Sequence, residues 1–223
     1  MAAYGRPSLR DLFDDSPTPH IAHPPHTHHR DFYVATDGSF RATGGATAAD
    51  GSFRETADRE AAGGLGVVIE TRDGEHVARL SLPDGAPDNN VAEYRALHLG
   101  LDVLAARAPE DARVGVLIDH DELAGNVNRA VLASREPDWT PHRELSVPRA
   151  TGFHWRGIRA RISGFEELRA ARIPSDVNPA HPLANAPDQY AHVNGEDDRC
   201  VLPRDASDRQ VPPPSRADRG ASD

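Results

Sequence analysis

Apolar residues recur along the middle of this chain in two distinct periods, and the periods alternate between residues 31 and 193. Phe32-Tyr33-Val34-Ala35-Thr36 has the length of a buried strand and leads into Asp37-Gly38-Ser39. GGLGVVIETRDG at 63–74 predicts a second strand with its turn, and EHVARLSLP at 75–83 predicts its hairpin partner across Asp73-Gly74. Residues 41–62 between them carry Gly, Ala, Thr and charge without a period and read as an insertion. Val91, Tyr94, Leu97, Leu101 and Leu104 recur at three and four, which predicts a helix over 88–109 closed by Pro109. ARVGVLID at 112–119 predicts a strand ending in an acidic loop, and 121–133 a short helix over the sheet. After a Pro- and charge-rich connection, Trp155, Ile158 and Ile162 share a helical face within 154–165. LRAARIP at 168–174 predicts a fifth strand, and a last helical piece lies in 179–192. The expected fold class is α/β: a five-stranded mixed sheet, three antiparallel strands plus two further strands, flanked by helices in the order βββαβαβα.

The flanks lack such periods. Residues 1–30 are expected to be a disordered tail, because SPTPHIAHPPHTHH at 16–29 combines four prolines with five histidines and few apolar side chains. PSLRDLF at 7–13 has room for one or two helical turns, and the His cluster has borderline-metal chemistry, but a polar linker is the simpler reading. Leu9-x-x-Leu12-Phe13 has the spacing of a short helical anchor. Residues 194–223, with EDD, PPP and scattered Arg and Asp, are expected to be a second disordered tail.

Composition narrows the function classes. The single Cys200 excludes an intrachain disulfide framework and a multi-thiolate zinc site. No stretch approaches the ~18 apolar residues of a membrane span, and the opening has no apolar run after a basic start. A cytoplasmic, monomeric protein without membrane contact is expected. All 25 basic residues are Arg, against 35 acidic ones, for a net charge of -10. A GC-rich genome explains the Arg, and acidic excess without Lys also suits a salt-rich, haloarchaeal type of cytoplasm. Such a charge argues against non-specific nucleic-acid affinity at low salt, though local cations can offset it and high salt screens it.

Three carboxylates stand where a sheet can aim them. Asp37 ends the first strand; it is either a turn aspartate before Gly38 or a metal ligand held by a rigid strand. Asn90 has the place of an N-cap and Glu93 that of its N3 partner in a capping box, which accounts for both without chemistry. Asp119 is the first residue past its strand, with Asp121 in reserve, although three acids within 119–122 also suit a helix start. Two strand ends and a helix start that deliver carboxylates suit hard divalent cations, whose remaining ligands a phosphate supplies.

On these residues the chain resembles the ribonuclease H-like superfamily, more narrowly type 1 ribonuclease H of archaeal and bacterial kind. The resemblance covers about residues 31–186. It rests on Asp37-Gly38-Ser39, on Asn89-Asn90-x-Ala92-Glu93-Tyr94-x-Ala96-Leu97-x-x-Gly100-Leu101, on the strand ending at Asp119, and on the Trp155–Ile162 helix, LRAARIP and Asn178. It implies Mg²⁺- or Mn²⁺-dependent hydrolysis of the RNA strand of an RNA–DNA hybrid, with two ions when substrate is bound. Asp37 would bridge both ions, and Glu93 and Asp119 would hold one of them. Gly38, Ser39, Asn89, Asn90 and Asn178 would lie at the hybrid. The family's fourth acid is missing after Asn178; His181 stands closest to its place, with Asp188 as the rival. Arg143, Arg149, Arg156, Arg159 and Arg161 form a local basic run around His154 and Trp155, which makes Arg156 and Arg159 candidate phosphate contacts. The Leu9–Phe13 anchor also looks like a degraded sliding-clamp peptide without its Gln and paired aromatics. Other readings of the same residues are a non-catalytic nucleic-acid-binding domain of this fold and a nuclease acting on another substrate.

Overall fold

The computed structural model describes residues 6–19, 30–41, 63–135, 138 and 146–195. The insertion at 42–62, the His-rich stretch at 20–29, Arg143 and residues 196–223 lie outside them. Five strands form one sheet in the order β3-β2-β1-β4-β5: β1 (Phe32–Phe40), β2 (Gly63–Thr71), β3 (His76–Pro83), β4 (Arg113–Ile118) and β5 (Glu167–Arg172). The first three are antiparallel neighbours, whereas β4 and β5 run parallel to β1. This is the expected mixed sheet. Among the described residues no helix is long and apolar enough to cross a membrane.

The strand period of two divides the side chains between two cores. Phe32 and Val34 of β1, Val67 and Ile69 of β2, and Val114, Val116 and Ile118 of β4 face three helices: α2 (Asn89–Ala105), α3 (Asp121–Arg135) and α4 (Gly152–Gly164). Tyr94, Leu97, Leu101 and Leu104 of α2 fill this core with Trp155, which meets Tyr94 edge-on at 6.1 Å. The opposite face carries Tyr33, Ala35, Val68, Leu117 and Ala171. It is covered by α1 (Leu9–Asp14) and α5 (His181–Asn185), with α6 (Pro187–Tyr190) and a closing 3-10 turn, Ala191–Gly195, continuing from α5.

Two expectations need correction here. The N-terminal segment is not wholly a separate tail, since residues 6–19 lie on the domain. Ser8 caps α1 in a capping box, Leu9 and Phe13 are buried, and Phe13 meets Tyr33 edge-on at 5.6 Å. The apolar face that a sliding clamp would need is thus occupied by this chain's own sheet. The first strand also continues past Thr36, because β1 keeps pairing with β2 as far as Phe40 opposite Gly63. Its pairing with β4 stops at Thr36 opposite Ile118, so β1 outruns β4 by four residues and leaves a notch beyond the end of β4.

Both outer strands end against an asparagine side chain that imitates a peptide group. The buried Asn128 of α3 accepts from Ala170 N–H at 2.9 Å and donates to Ala170 C=O at 2.7 Å, on the outer side of β5. Asn194 does the same at β3, accepting from Ser81 N–H at 2.7 Å and donating to Ser81 C=O at 2.9 Å. Asn128 also donates to Pro19 C=O at 3.0 Å, which ties down the N-terminal segment. Replacing Asn128 by Ala leaves a strand N–H and C=O unpaired in a dry site, at a cost of about 2–4 kcal/mol. Thermal unfolding of Asn128→Ala should therefore begin about 5–10 °C lower; an unchanged melting temperature would mean that something else satisfies the β5 edge.

Candidate active site

The notch beyond Thr36 and Ile118 gathers the acidic residues. Because these two are register partners on adjacent parallel strands, the next residues, Asp37 and Asp119, emerge side by side on the face that α5 covers. Asp37 lies within the ladder opposite Gly66 and is buried, while Asp119 follows the end of β4 and is partly buried. His181 opens α5 and brings its Nδ1 to 3.2 Å from Asp37 Oδ2. Ligand atoms of Asp37, Asp119 and His181 all lie within 4.8 Å of one another.

Glu93 arrives from the other side of the sheet. The expected Asn90–Glu93 capping box does not form, since Asp88 is the N-cap of α2 and its carboxylate accepts from Val91 N–H at 2.9 Å. Glu93 lies two residues beyond the N3 position and is buried, where its Oε2 accepts from Gly38 N–H at 3.2 Å. Gly38 permits this contact: a Cβ there would stand 2.1 Å from the Ala92 carbonyl carbon. Gly66 has the same role on the opposite face, where a Cβ would stand 2.2 Å from Ala180 O, so α5 comes down to backbone contact beside Asp37.

Burial decides the charge state of this group. It pushes the Asp37 carboxyl up to about 8, helped by the Asp119 charge and a hydrogen bond between the two. It pushes Glu93 up to about 10, helped by Asp37 and Asp119, while Gly38 N–H and the Asn89 side chain pull the other way. Asp37 Oδ2 and Asp119 Oδ1 are buried oxygens without a hydrogen-bond partner. The 3.2 Å approach of His181 to Asp37 Oδ2 is an ion-pair distance without hydrogen-bond geometry. Such orphaned oxygens beside an imidazole form a donor set of the kind that holds a divalent cation, with the ion's charge offsetting the carboxylate repulsion.

The remaining candidates separate clearly. Asp121 is 77% exposed and paired with Arg172 Nε at 2.7 Å, and Asp188 is exposed on α6; neither belongs to the cluster. Ser39 and Asn178, expected at a nucleic acid, are buried and bonded within the protein. Ser39 Oγ donates to Ala184 C=O at 2.6 Å and accepts from Gly64 N–H at 3.1 Å. Asn178 donates to Thr36 C=O and accepts from Ala180 N–H, both at 3.0 Å, so the two residues seat α5 on β1. Gly38, also expected there, gives its N–H to Glu93. Asn89 and Asn90 are exposed on the first turn of α2, and Arg149, Arg156 and Arg159 are exposed on or just before α4. Arg161 is instead buried and donates from Nε to Asp102 at 2.7 Å. His120, which sequence reasoning passed over, bridges the Asp119 corner to Asn90; its place directly after a strand-end aspartate was the available signal.

Neither protein-family models nor curated protein sequences give a match. Solved structures do. Ribonuclease H1 from the halophilic archaeon Halobacterium salinarum is similar at a TM-score of 0.50 and 19% identity, over 71% of this chain and 98% of that one. The LC11 ribonuclease H1 in complex with an RNA/DNA hybrid gives 0.49 and 21%, over 69% and 93%. The N-terminal ribonuclease H domain of a Mycobacterium tuberculosis protein, fused to maltose-binding protein, gives 0.47 and 20%, over 69% and 95%. The chain has the ribonuclease H-like fold, as its motifs implied.

The raised carboxylates make a signed prediction for the metal-free chain. Protonated Asp37 and Glu93 favour the folded state below their unfolded values near 4, and that advantage is lost as pH rises through about 8 and about 10. The melting temperature in EDTA should fall from about pH 6 to about pH 9, less steeply in Glu93→Gln. Mn²⁺ or Mg²⁺ should restore it, with a gain that grows with pH. A slope untouched by Glu93→Gln would show that Glu93 does not carry the pH dependence, and a metal gain independent of pH would show that these carboxyls are not where the ion binds.

Proposed function

We propose that this chain is a metal-dependent endonuclease that hydrolyses the RNA strand of RNA–DNA hybrids, acting as a monomer in the cytoplasm. The observation that carries the reading is the pair of unpartnered buried oxygens, Asp37 Oδ2 and Asp119 Oδ1, beside His181 in a fold of ribonuclease H type. Solved ribonuclease H structures include one in complex with an RNA/DNA hybrid, and that substrate is carried over here as part of the proposal.

Asp37, Asp119, Glu93 and His181 are the residues that would hold divalent ions. Two such ions, when bound with substrate, would supply an activated water and a charge that stabilises the departing oxygen of the phosphodiester. Asp37 is held within β1 and Asp119 directly follows the last residue of β4, so paired strands fix their approach. Gly38 N–H fixes the direction of the Glu93 carboxylate. His181 brings a neutral, softer donor where a fourth carboxylate would otherwise stand, which favours Mn²⁺ over Mg²⁺. Asn89 and Asn90 stand on the open side of α2 as contacts to the hybrid, where 2′-hydroxyls distinguish RNA from DNA. Arg156 and Arg159, exposed on α4, are the cations proposed to meet phosphates of the hybrid.

A labelled hybrid duplex incubated with Mg²⁺ or Mn²⁺, in dilute buffer and in multimolar KCl, should be cut in its RNA strand. Asp37→Asn and Asp119→Asn should each lower the rate by on the order of a thousandfold or more, whereas Asp121→Asn and Asp188→Asn stay near wild type. Tight binding without cleavage in either metal would identify a binding domain, and cleavage of DNA alone a nuclease for another substrate.

The histidine makes a separate prediction. His181→Ala should lose activity in both metals, while His181→Asp should recover activity with Mg²⁺ more than with Mn²⁺. Wild-type rates in His181→Ala would remove His181 from the metal site.

A further inference from the structure

His120 carries a polar connection that the metal site does not use. It sits between Asp119 and the first residue of α3, and it is the cap of that helix. Its carbonyl accepts from Ala124 N–H at 3.1 Å, and its ring Nδ1 accepts from Leu123 N–H at 3.2 Å. A backbone N–H can only donate, so Nδ1 holds a lone pair and the ring proton belongs to Nε2. Nε2 lies 2.8 Å from Asn90 Oδ1. An Nε2–H that donates there fixes the amide as well, for it selects the carbonyl oxygen of Asn90 and turns the NH₂ group away. Asn90 is exposed on the first turn of α2, three residues before Glu93. The hydrogen bonds therefore run in one direction, from the α3 amide through the imidazole to the Asn90 carbonyl, and end in an outward donor; chains aligned in this way reinforce each other.

We infer that His120 is a positioning residue that locks Asn90 with its NH₂ outward, so that the chain presents a hydrogen-bond donor to the acceptor-lined minor groove of a bound duplex. The inference rests on the hybrid-nuclease reading. Every base pair offers an acceptor in that groove, purine N3 or pyrimidine O2, and an RNA strand adds its 2′-oxygens. A fixed donor there binds without choosing a sequence, whereas a freely turning amide would present its carbonyl to those acceptors part of the time. The latch also joins the Asp119 corner to the helix turn that precedes Glu93, so groove contact and metal ligands keep one mutual arrangement.

Two variants separate the latch from the cap. His120→Ser keeps a cap acceptor for Leu123 N–H but is too short to reach Asn90. Asn90→Asp keeps an acceptor for the imidazole but removes the donor. His120→Ser should melt like wild type, yet its KM and its hybrid Kd, the latter measured in the uncleaving Asp37→Asn chain, should rise about fivefold. The loss should fall on KM rather than kcat. Asn90→Asp should lose at least as much, and His120→Ser with Asn90→Asp no more than Asn90→Asp alone. Nitrogen-15 spectra of the free protein should show a single His120 tautomer protonated at Nε2. A ring protonated at Nδ1, unchanged hybrid affinity in His120→Ser, a loss confined to kcat, or losses that add in the double variant would each overturn the inference. Failure of the nuclease reading looks different: wild type then cuts no hybrid in either metal, while tautomer and duplex affinity still judge the latch. A chain that binds no duplex at all would overturn both.

Discussion

The meeting of α2 with β1 at Gly38 is the contact on which the arrangement of this domain turns. With no side chain at that position, the helix backbone reaches the strand backbone, and Gly38 N–H closes on Glu93. The crossing point decides how the helix lies over the sheet and therefore which of its residues enter the larger core. It also delivers a carboxylate from one face of the sheet to the place where Asp37 and Asp119 emerge on the other. A side chain of any size at Gly38 would separate helix and strand and disperse the acids together.

Three carboxylates brought together in this way work against the stability of the fold. Desolvation and the neighbouring acids both disfavour the charged forms of Asp37 and Glu93, and a hydrophobic substitution at either would relieve both. The scaffold tolerates them because the acids gather where β4 ends beside β1, in a sheet whose two faces are otherwise packed with aliphatic and aromatic side chains. Seating α5 requires more than apolar contact: Asn178 and Ser39 bind it to β1, and the glycine at 66 lets it approach. Residues that resemble substrate contacts in the sequence thus serve to hold His181 beside Asp37.

The parts of this arrangement visible in the sequence are those set by local periodicity. Every strand, the long helix and the position of Asp119 follow from the spacing of apolar residues, since that spacing reflects burial on one face or two. The sequence alone ends β1 at Asp37, because Asp before Gly is a turn signal by itself, whereas pairing with β2 across a long insertion carries the strand to Phe40. Glu93 has its true partner 55 residues away, which no capping rule contains. The spacing of Leu9, Leu12 and Phe13 suggests helical turns at 7–13, but their docking is not legible, because Leu9 and Phe13 acquire meaning only beside Tyr33. Glycines 64 and 66 share one face of β2, and that alternation was a readable sign of a closely approaching element.

The amide side chains of Asn128 and Asn194, one at each border of the sheet, bear on how the molecule behaves toward copies of itself. Exposed strand edges invite pairing between molecules, and many proteins rely on like charge to keep them apart. A net charge of -10 offers such a safeguard in dilute solution. At molar ionic strength the screening length contracts to about 3 Å and the safeguard is largely gone. Hydrogen-bond groups already matched by an asparagine of the same chain do not depend on ionic strength. At Ala170 and Ser81 this protein resists strand-to-strand association by geometry, and that resistance persists in brine as it does in dilute buffer.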